Sequence, residues 1–412
     1  MKKVFQFIVF ASLLGCCCLT GCATDLIGDP CDLSKVESPT GIAIHPNGRY
    51  AYITGSNFDL DYRATDGGAI YVVDLQTNTV LPSSKRMGSF GTNIVLSSDA
   101  RHGFTVTRDD DALVWFEISE DGSSISCPEA GSDSNSLRKC RVILDDDPTH
   151  LAITRSYRES KIIDDSGQEF TTRIEFDLLM VAQLRNARVT AITVQDAGNG
   201  KLDFSHETAS FVYSASEVAW LGGERFAITG RAASNLVVVS PAIDEKGHVK
   251  GLYSSQGIVV PTGSGVYQGR GMATDPIRSQ LFMLNQYPKS LLKFDISGLA
   301  KNDAASDKAQ MTQMMMLPSD ILKLIWVGGQ DDGLLYLTSV VDDAIYIVDP
   351  RQMEIINIVD VGDGPYDLVV HEQNLYIVNF LGESISLFDI SDIRNPVKVK
   401  ELFSAADAAA AQ

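Results

Sequence analysis

The chain lacks the residue patterns that a nucleophile-based or metal-based catalyst needs. No Gly-x-Ser-x-Gly elbow occurs, and the six histidines, at 45, 102, 150, 206, 248 and 371, show neither His-x-x-x-His nor His-x-His spacing. The glycine-rich runs Thr262–Gly265 and Gly269–Gly271 have no phosphate-loop lysine and read as turns between units. Asp59, Asp61 and Asp66 depart from the Asp-x-Asp-x-Asp-Gly calcium loop and read as solvated turn carboxylates. The expectation is therefore no catalytic residue, no metal and no cofactor. Positive charge is also scarce, with 34 Lys and Arg against 53 Asp and Glu and a formal net charge of -19. Such a surface repels a phosphate backbone at long range, which argues against a nucleic-acid partner.

Long apolar runs are missing except at the start. Met1-Lys2-Lys3 is basic, Val4 to Leu14 is apolar but too short for a stable span, and Leu19-Thr20-Gly21-Cys22 follows. These four residues resemble the lipobox of bacterial lipoproteins. The resemblance implies a signal peptide over 1–21 and cleavage before Cys22, with acylation of Cys22 anchoring the protein to a lipid bilayer. Each buried methylene contributes ~0.8 kcal/mol, so several acyl chains hold a soluble domain durably. Ala23 rather than Asp after the cysteine resembles the outer-membrane sorting pattern, which implies a cell-envelope address on the periplasmic or surface face. Residues 22–37 then form a short tether.

Cysteine is sparse beyond that segment. Of the 7 cysteines, Cys16, Cys17 and Cys18 leave with the signal and Cys22 carries lipid. Cys127 and Cys140 flank the polar insertion Pro128 to Lys139, and an exported chain meets an oxidising compartment, so they are expected to form a disulfide. Cys31 is left over, either free or the true partner of one of the two.

What the chain has in quantity is a repeated unit. Ser38 to Leu81 contains an apolar strand from Gly41 to Ile44, a turn at Pro46-Asn47-Gly48, an alternating strand Tyr50 to Thr54, a strand Ala69 to Asp74 and a short fourth strand. The same order recurs six more times, aligned on Gly41, Asn93, His150, Glu217, Gly271, Lys323 and Asp367. A compact four-stranded unit needs ~40 to 50 residues, so the excess in the middle units, including Tyr157 to Thr172, reads as loop insertion. Aspartates that end third strands, Asp74, Asp295, Asp349 and Asp389, and the run Asp145-Asp146-Asp147, read as turn formers. Seven such units fit an all-β ring, a seven-bladed β-propeller of four-stranded antiparallel blades over 38–403, monomeric, with a frayed tail at 404–412.

The Pro-x-Gly-Ile-Ala, Pro-Asn-Gly, Tyr-Ile-Thr and Ile-x-Val-Val-Asp segments of the first unit, echoed in the seventh, resemble YVTN-type propeller repeats. That resemblance implies the fold and says little of function, because such rings serve as binding surfaces, scaffolds and enzymes. In a propeller the first residue of each innermost strand faces the channel mouth. The alignment selects Asn93, His150, Glu217, Lys323 and Asp367, with Arg270 one residue earlier in the fifth unit. Two readings follow for this ring. It is a set of ion pairs neutralising one another, or it is a binding surface for a polar ligand, a glycan or an envelope protein. A lactonase-type hydrolase using His150, Glu217 and Asp367 is the enzymatic alternative, which Lys323 and Arg270 disfavour if a metal is required.

Overall fold

The computed structural model describes residues 32–56, 67–131, 133–145, 147–163, 168–198, 201–232, 235–254, 258–259, 268–300 and 310–403. The signal segment, Cys22, Cys31, the loop with Asp59, Asp61 and Asp66, Asp146, the run Thr262–Gly265 and the tail 404–412 lie outside them. The chain forms seven antiparallel sheets, each from one continuous stretch of sequence, arranged as the blades of a β-propeller. The innermost strands are Pro39–Ile44, Gly91–Leu96, Pro148–Ile163, Ala215–Gly222, Gly269–Thr274, Lys323–Val327 and Pro365–His371, each packed beside the next around the ring. Residues 269 to 271 thus belong to a strand, not a turn.

Period-two alternation decides how blades stack. In blade 1, Tyr52, Ile70 and Val72 point to one face and join Phe104, Val106 and Leu113 of blade 2. Ile53, Tyr71 and Val73 point to the other and join Tyr376, Val378 and Ile385 of blade 7. Because both faces are covered, the second and third strands, Tyr50–Gly55 and Ala69–Asp74, are buried throughout. Full burial of each large aliphatic side chain is worth ~1.5–3 kcal/mol, so these interfaces carry most of the cohesion.

A second device ties the blades near the mouth. The register slips by one residue at the start of the innermost strand in blades 1 to 5 and 7. A bulge of this kind turns one extra side chain out of the ladder. Thr40 uses it to donate to the Gly91 carbonyl of blade 2 at 2.8 Å, and Ser216 to reach the Gly269 carbonyl of blade 5 at 3.1 Å. Gly41 follows the bulge because a Cβ there would lie 2.5 Å from the Thr92 carbonyl oxygen.

The outer strands of blades 1 and 2 are interrupted. In blade 2, Ile125–Ser126 and Arg141–Ile143 both pair with Ala112–Ile118, and the chain between them leaves the sheet. Cys127 and Cys140, joined by a disulfide, stand at the two ends of that excursion. The excursion docks on blade 1, where Arg86 donates to Asn135 O and Leu137 donates to Arg86 O.

Two further expectations fail. Residues 157–163 and 169–172 are not a loop insertion but the outer ends of two long paired strands, with Pro148–Ile163 pairing Glu169–Gln183 in unbroken register from His150 onward. Arg158, bonded to Glu224 at 2.6 and 2.9 Å and lying over the Phe176 ring, holds these strands against blade 4. Asp147 is not a turn former either, since its carboxylate takes two bonds from Arg108, at 2.6 and 3.0 Å. Asp74, Asp295, Asp349 and Asp389 do accept bonds from backbone amides two residues on, at 2.8 to 2.9 Å.

Candidate functional site at the channel mouth

Each innermost strand begins opposite the end of its blade's second strand, as in Pro39 opposite Gly55 and Ala215 opposite Gly230. The loops after the second strands therefore open on the face where the innermost strands start. This topology brings the sequence-selected residues to one mouth and adds Arg108 and Arg231 from the loops and Gln286 from the end of blade 5's second strand.

The selected residues do not play one part. Lys323 Nζ lies 3.2 Å from Glu217 Oε2, across the channel between blades 6 and 4. His150 Nε2 lies 3.5 Å from the same oxygen. The Val218 N–H donates to His150 Nδ1 at 3.4 Å, which puts the ring proton on Nε2, facing Glu217. Asp367 Oδ2 accepts from Ile42 N at 3.3 Å, a bond between blades 7 and 1. Asn93 is spent on structure, accepting from Leu151 N at 3.2 Å and donating to Leu151 O at 2.8 Å. Arg270 stands apart and donates to Gln286 Oε1 at 3.1 Å.

Lys323 is thus no free surface cation, its side chain being 15% exposed and ion-paired. Four of the six candidates, His150, Glu217, Lys323 and Asp367, interact as one charged group. Burial, then the Lys323 ammonium, push His150 down to about 4, against the pull of Glu217. Burial pushes Asp367 up to about 6, opposed by Lys323 and two backbone amides. Burial also acts upward on Glu217, yet Lys323, His150 and Arg231 together hold it below its ordinary value. At neutral pH the group consists of a neutral imidazole, one ammonium and two carboxylates.

Arg231 lies in the loop after blade 4's second strand, outside the aligned column. Burial, then the charges of Arg270 and Arg108, push it down to about 9, still protonated at neutral pH. The described residues contain no group of three or more His, Cys, Asp or Glu placed to hold a metal ion. A separate cleft of about 460 Å³ opens on the opposite face, beside the turn at Asp99, and includes His102, Arg155, Glu175 and Asp177. Arg155 there is bonded to Glu175 and to Ser98.

Neither a protein-family model nor a curated protein sequence matches the chain. Solved structures do resemble it in fold. A 6-phosphogluconolactonase-like protein from Bacteroides fragilis superposes with a TM-score of 0.55 at 12% identity, over 83% of this chain and 87% of that one. The periplasmic gluconolactonase of Pseudomonas aeruginosa gives 0.54 at 13%, over 83% and 88%. A functionally unknown protein from Desulfotomaculum acetoxidans gives 0.53 at 12%, over 81% and 92%. Identities this low carry the propeller fold and nothing finer.

Proposed function

We propose that the chain is a lipid-anchored propeller of the bacterial cell envelope, held through acylated Cys22, whose channel mouth binds a polar ligand, a glycan or an envelope protein without transforming it. The observation that carries the reading is the convergence of charged side chains from separate blades on one mouth, with Arg270 bonded, among the described residues, only to a neutral amide. Spending so many charges on a wet channel is unnecessary for a ring whose blades are already joined by apolar faces and bulge hydroxyls. The lipid anchor rests on Leu19 to Cys22.

The gluconolactonase-like neighbours favour a second reading, a lactonase-type hydrolase using His150, Glu217 and Asp367. The hydrogen bonds speak against it. A general base needs a free lone pair within reach of substrate, and His150 Nδ1 is occupied by Val218 N–H while Nε2 bears the proton.

Capture from envelope extracts and a glycan array test the binding reading. Arg270→Glu should abolish capture with an unchanged melting temperature, and Asp99→Lys on the opposite face should leave capture intact. Equal capture by wild type and Arg270→Glu would remove the mouth as the site. Hydrolysis of glucono-δ-lactone above the buffer rate, lost in Glu217→Gln, would replace binding by catalysis. Cys22→Ser should release the chain from carbonate-washed membranes, and retention there would sink the anchor.

A further inference from the structure

We propose that the ligand of the mouth is anionic, with its carboxylate or phosphate group seated on the guanidinium of Arg231. The inference deepens the binding reading above and rests on it. Arg231 directly follows the strand Arg225–Gly230, and its N–H donates to Ser214 O at 2.9 Å, which fixes its backbone beside the start of blade 4's innermost strand. Its Nε is buried and has no hydrogen-bond partner among the described residues. Other arginines of the molecule are matched to carboxylates: Arg49 to Asp74, Arg108 to Asp147, Arg158 to Glu224 and Arg351 to Asp349. Arg278 also has a buried Nε without a bond, but it lies over the Trp220 ring, 4.7 Å from its centroid, and donates to Asp275 O.

Among the described residues, nothing within the mouth completes Arg231. Of the two guanidiniums that share its field, Arg108 is spent on Asp147 and Arg270 is bonded to the neutral Gln286. Glu217 lies in the same field, yet its carboxylate is engaged by Lys323 and His150. Lys323 is thus paired with Glu217, whereas among the described residues neither Arg231 nor Arg270 forms an ion pair with a carboxylate. Leaving a buried donor unpaired is costly, whereas a planar oxyanion satisfies it with two parallel charge-assisted bonds. Arginine suits this task better than lysine because its fork matches carboxylate and phosphate geometry. Tyr366 of blade 7, also in the field of Arg231, stands across the mouth from blade 4. An anion there would be approached from blades 4, 5 and 7 together.

Calorimetric titration of the full chain in detergent, at low salt, tests the proposal with three probes: inorganic phosphate, succinate and neutral maltose. Phosphate or succinate should bind, with an affinity that falls as salt is added, and maltose should not. Which of the two anions binds assigns the headgroup. Arg231→Gln should weaken that binding at least tenfold while far-ultraviolet circular dichroism stays unchanged. Should Arg231→Gln fail to fold, Arg270→Gln should give a similar loss. If neither anion binds wild type, or if binding persists in both variants, the anionic assignment is wrong. In that event a glycan captured by wild type but not by Arg270→Glu would keep the mouth as a site for neutral ligands. Capture indifferent to every mouth variant would remove both readings.

Discussion

At the level of single residues, His150 and Asp367 bind protons with opposite consequences for stability. His150 titrates at about 4 in the folded chain against an ordinary 6.5, so as pH falls through that window the unfolded chain takes up the proton first and stability declines. Asp367 titrates at about 6 against 3.8, so over nearly the same window the folded chain takes up the proton first and stability rises. The two contributions oppose each other, and each approaches ~1.4 kcal/mol per pH unit at its steepest. Asp367→Asn should therefore lose stability relative to wild type on going from pH 6 to 4, and His150→Gln should gain it. Urea unfolding at pH 7, 5.5 and 4 measures both differences, and curves parallel to wild type would show that the two groups are not held as described. The column containing these residues was readable from the repeat, because the innermost strands keep one register. Their partners were not, because Lys323 and Glu217 meet across the channel from blades 6 and 4 while being 106 positions apart in the chain.

Among the strands, alternation and turn residues disclosed every blade in order, since strands buried on both faces must be apolar and turns must carry Gly, Asn and Asp. Two things stayed hidden. The paired strand ends beyond Tyr157 are polar and exposed, so nothing in their pattern separates a projecting ribbon from a loop. The bulges are hidden as well, because one unpaired residue leaves no mark in a period-two pattern. Thr40 and Thr92 occupy the same bulge position in blades 1 and 2 with different partners. Thr40 Oγ1 is bonded to Gly91 O at 2.8 Å and to Ser56 Oγ at 2.6 Å, whereas Thr92 Oγ1 is buried without a partner. Thr40→Val should cost ~1–2 kcal/mol and Thr92→Val close to nothing, or should stabilise. Urea midpoints compare the pair, and equal losses would mean that the inter-blade hydroxyl bond contributes nothing.

Across the whole molecule, the weak place is set by how the ring closes. Every blade is one stretch of chain, from Pro39 in blade 1 to Leu402 in blade 7, so no strand is exchanged across the final seam. Six neighbouring pairs of blades are linked by the peptide chain, and among the described residues the seventh, between blades 7 and 1, is joined by noncovalent contacts. Ile42, Ile53, Tyr71, Tyr376 and Val378 pack there, and the Ile42 N–H reaches Asp367. Val36, just before the first strand, is buried in the same cluster, so the end of the predicted tether belongs to the seam. A stacked array opens where an interface is not backed by chain connectivity, because separating the two sides there releases the most chain freedom. Ile53→Ala at the seam and Leu337→Ala between blades 5 and 6 remove fully buried side chains, and each should cost ~2–5 kcal/mol globally. They should differ in native-state hydrogen exchange. Ile53→Ala should accelerate exchange in blades 1 and 7 beyond the global loss, while Leu337→Ala should lower protection evenly around the ring. The same even pattern in both variants would show that the propeller opens only as one unit and that its closure is as strong as its connected interfaces.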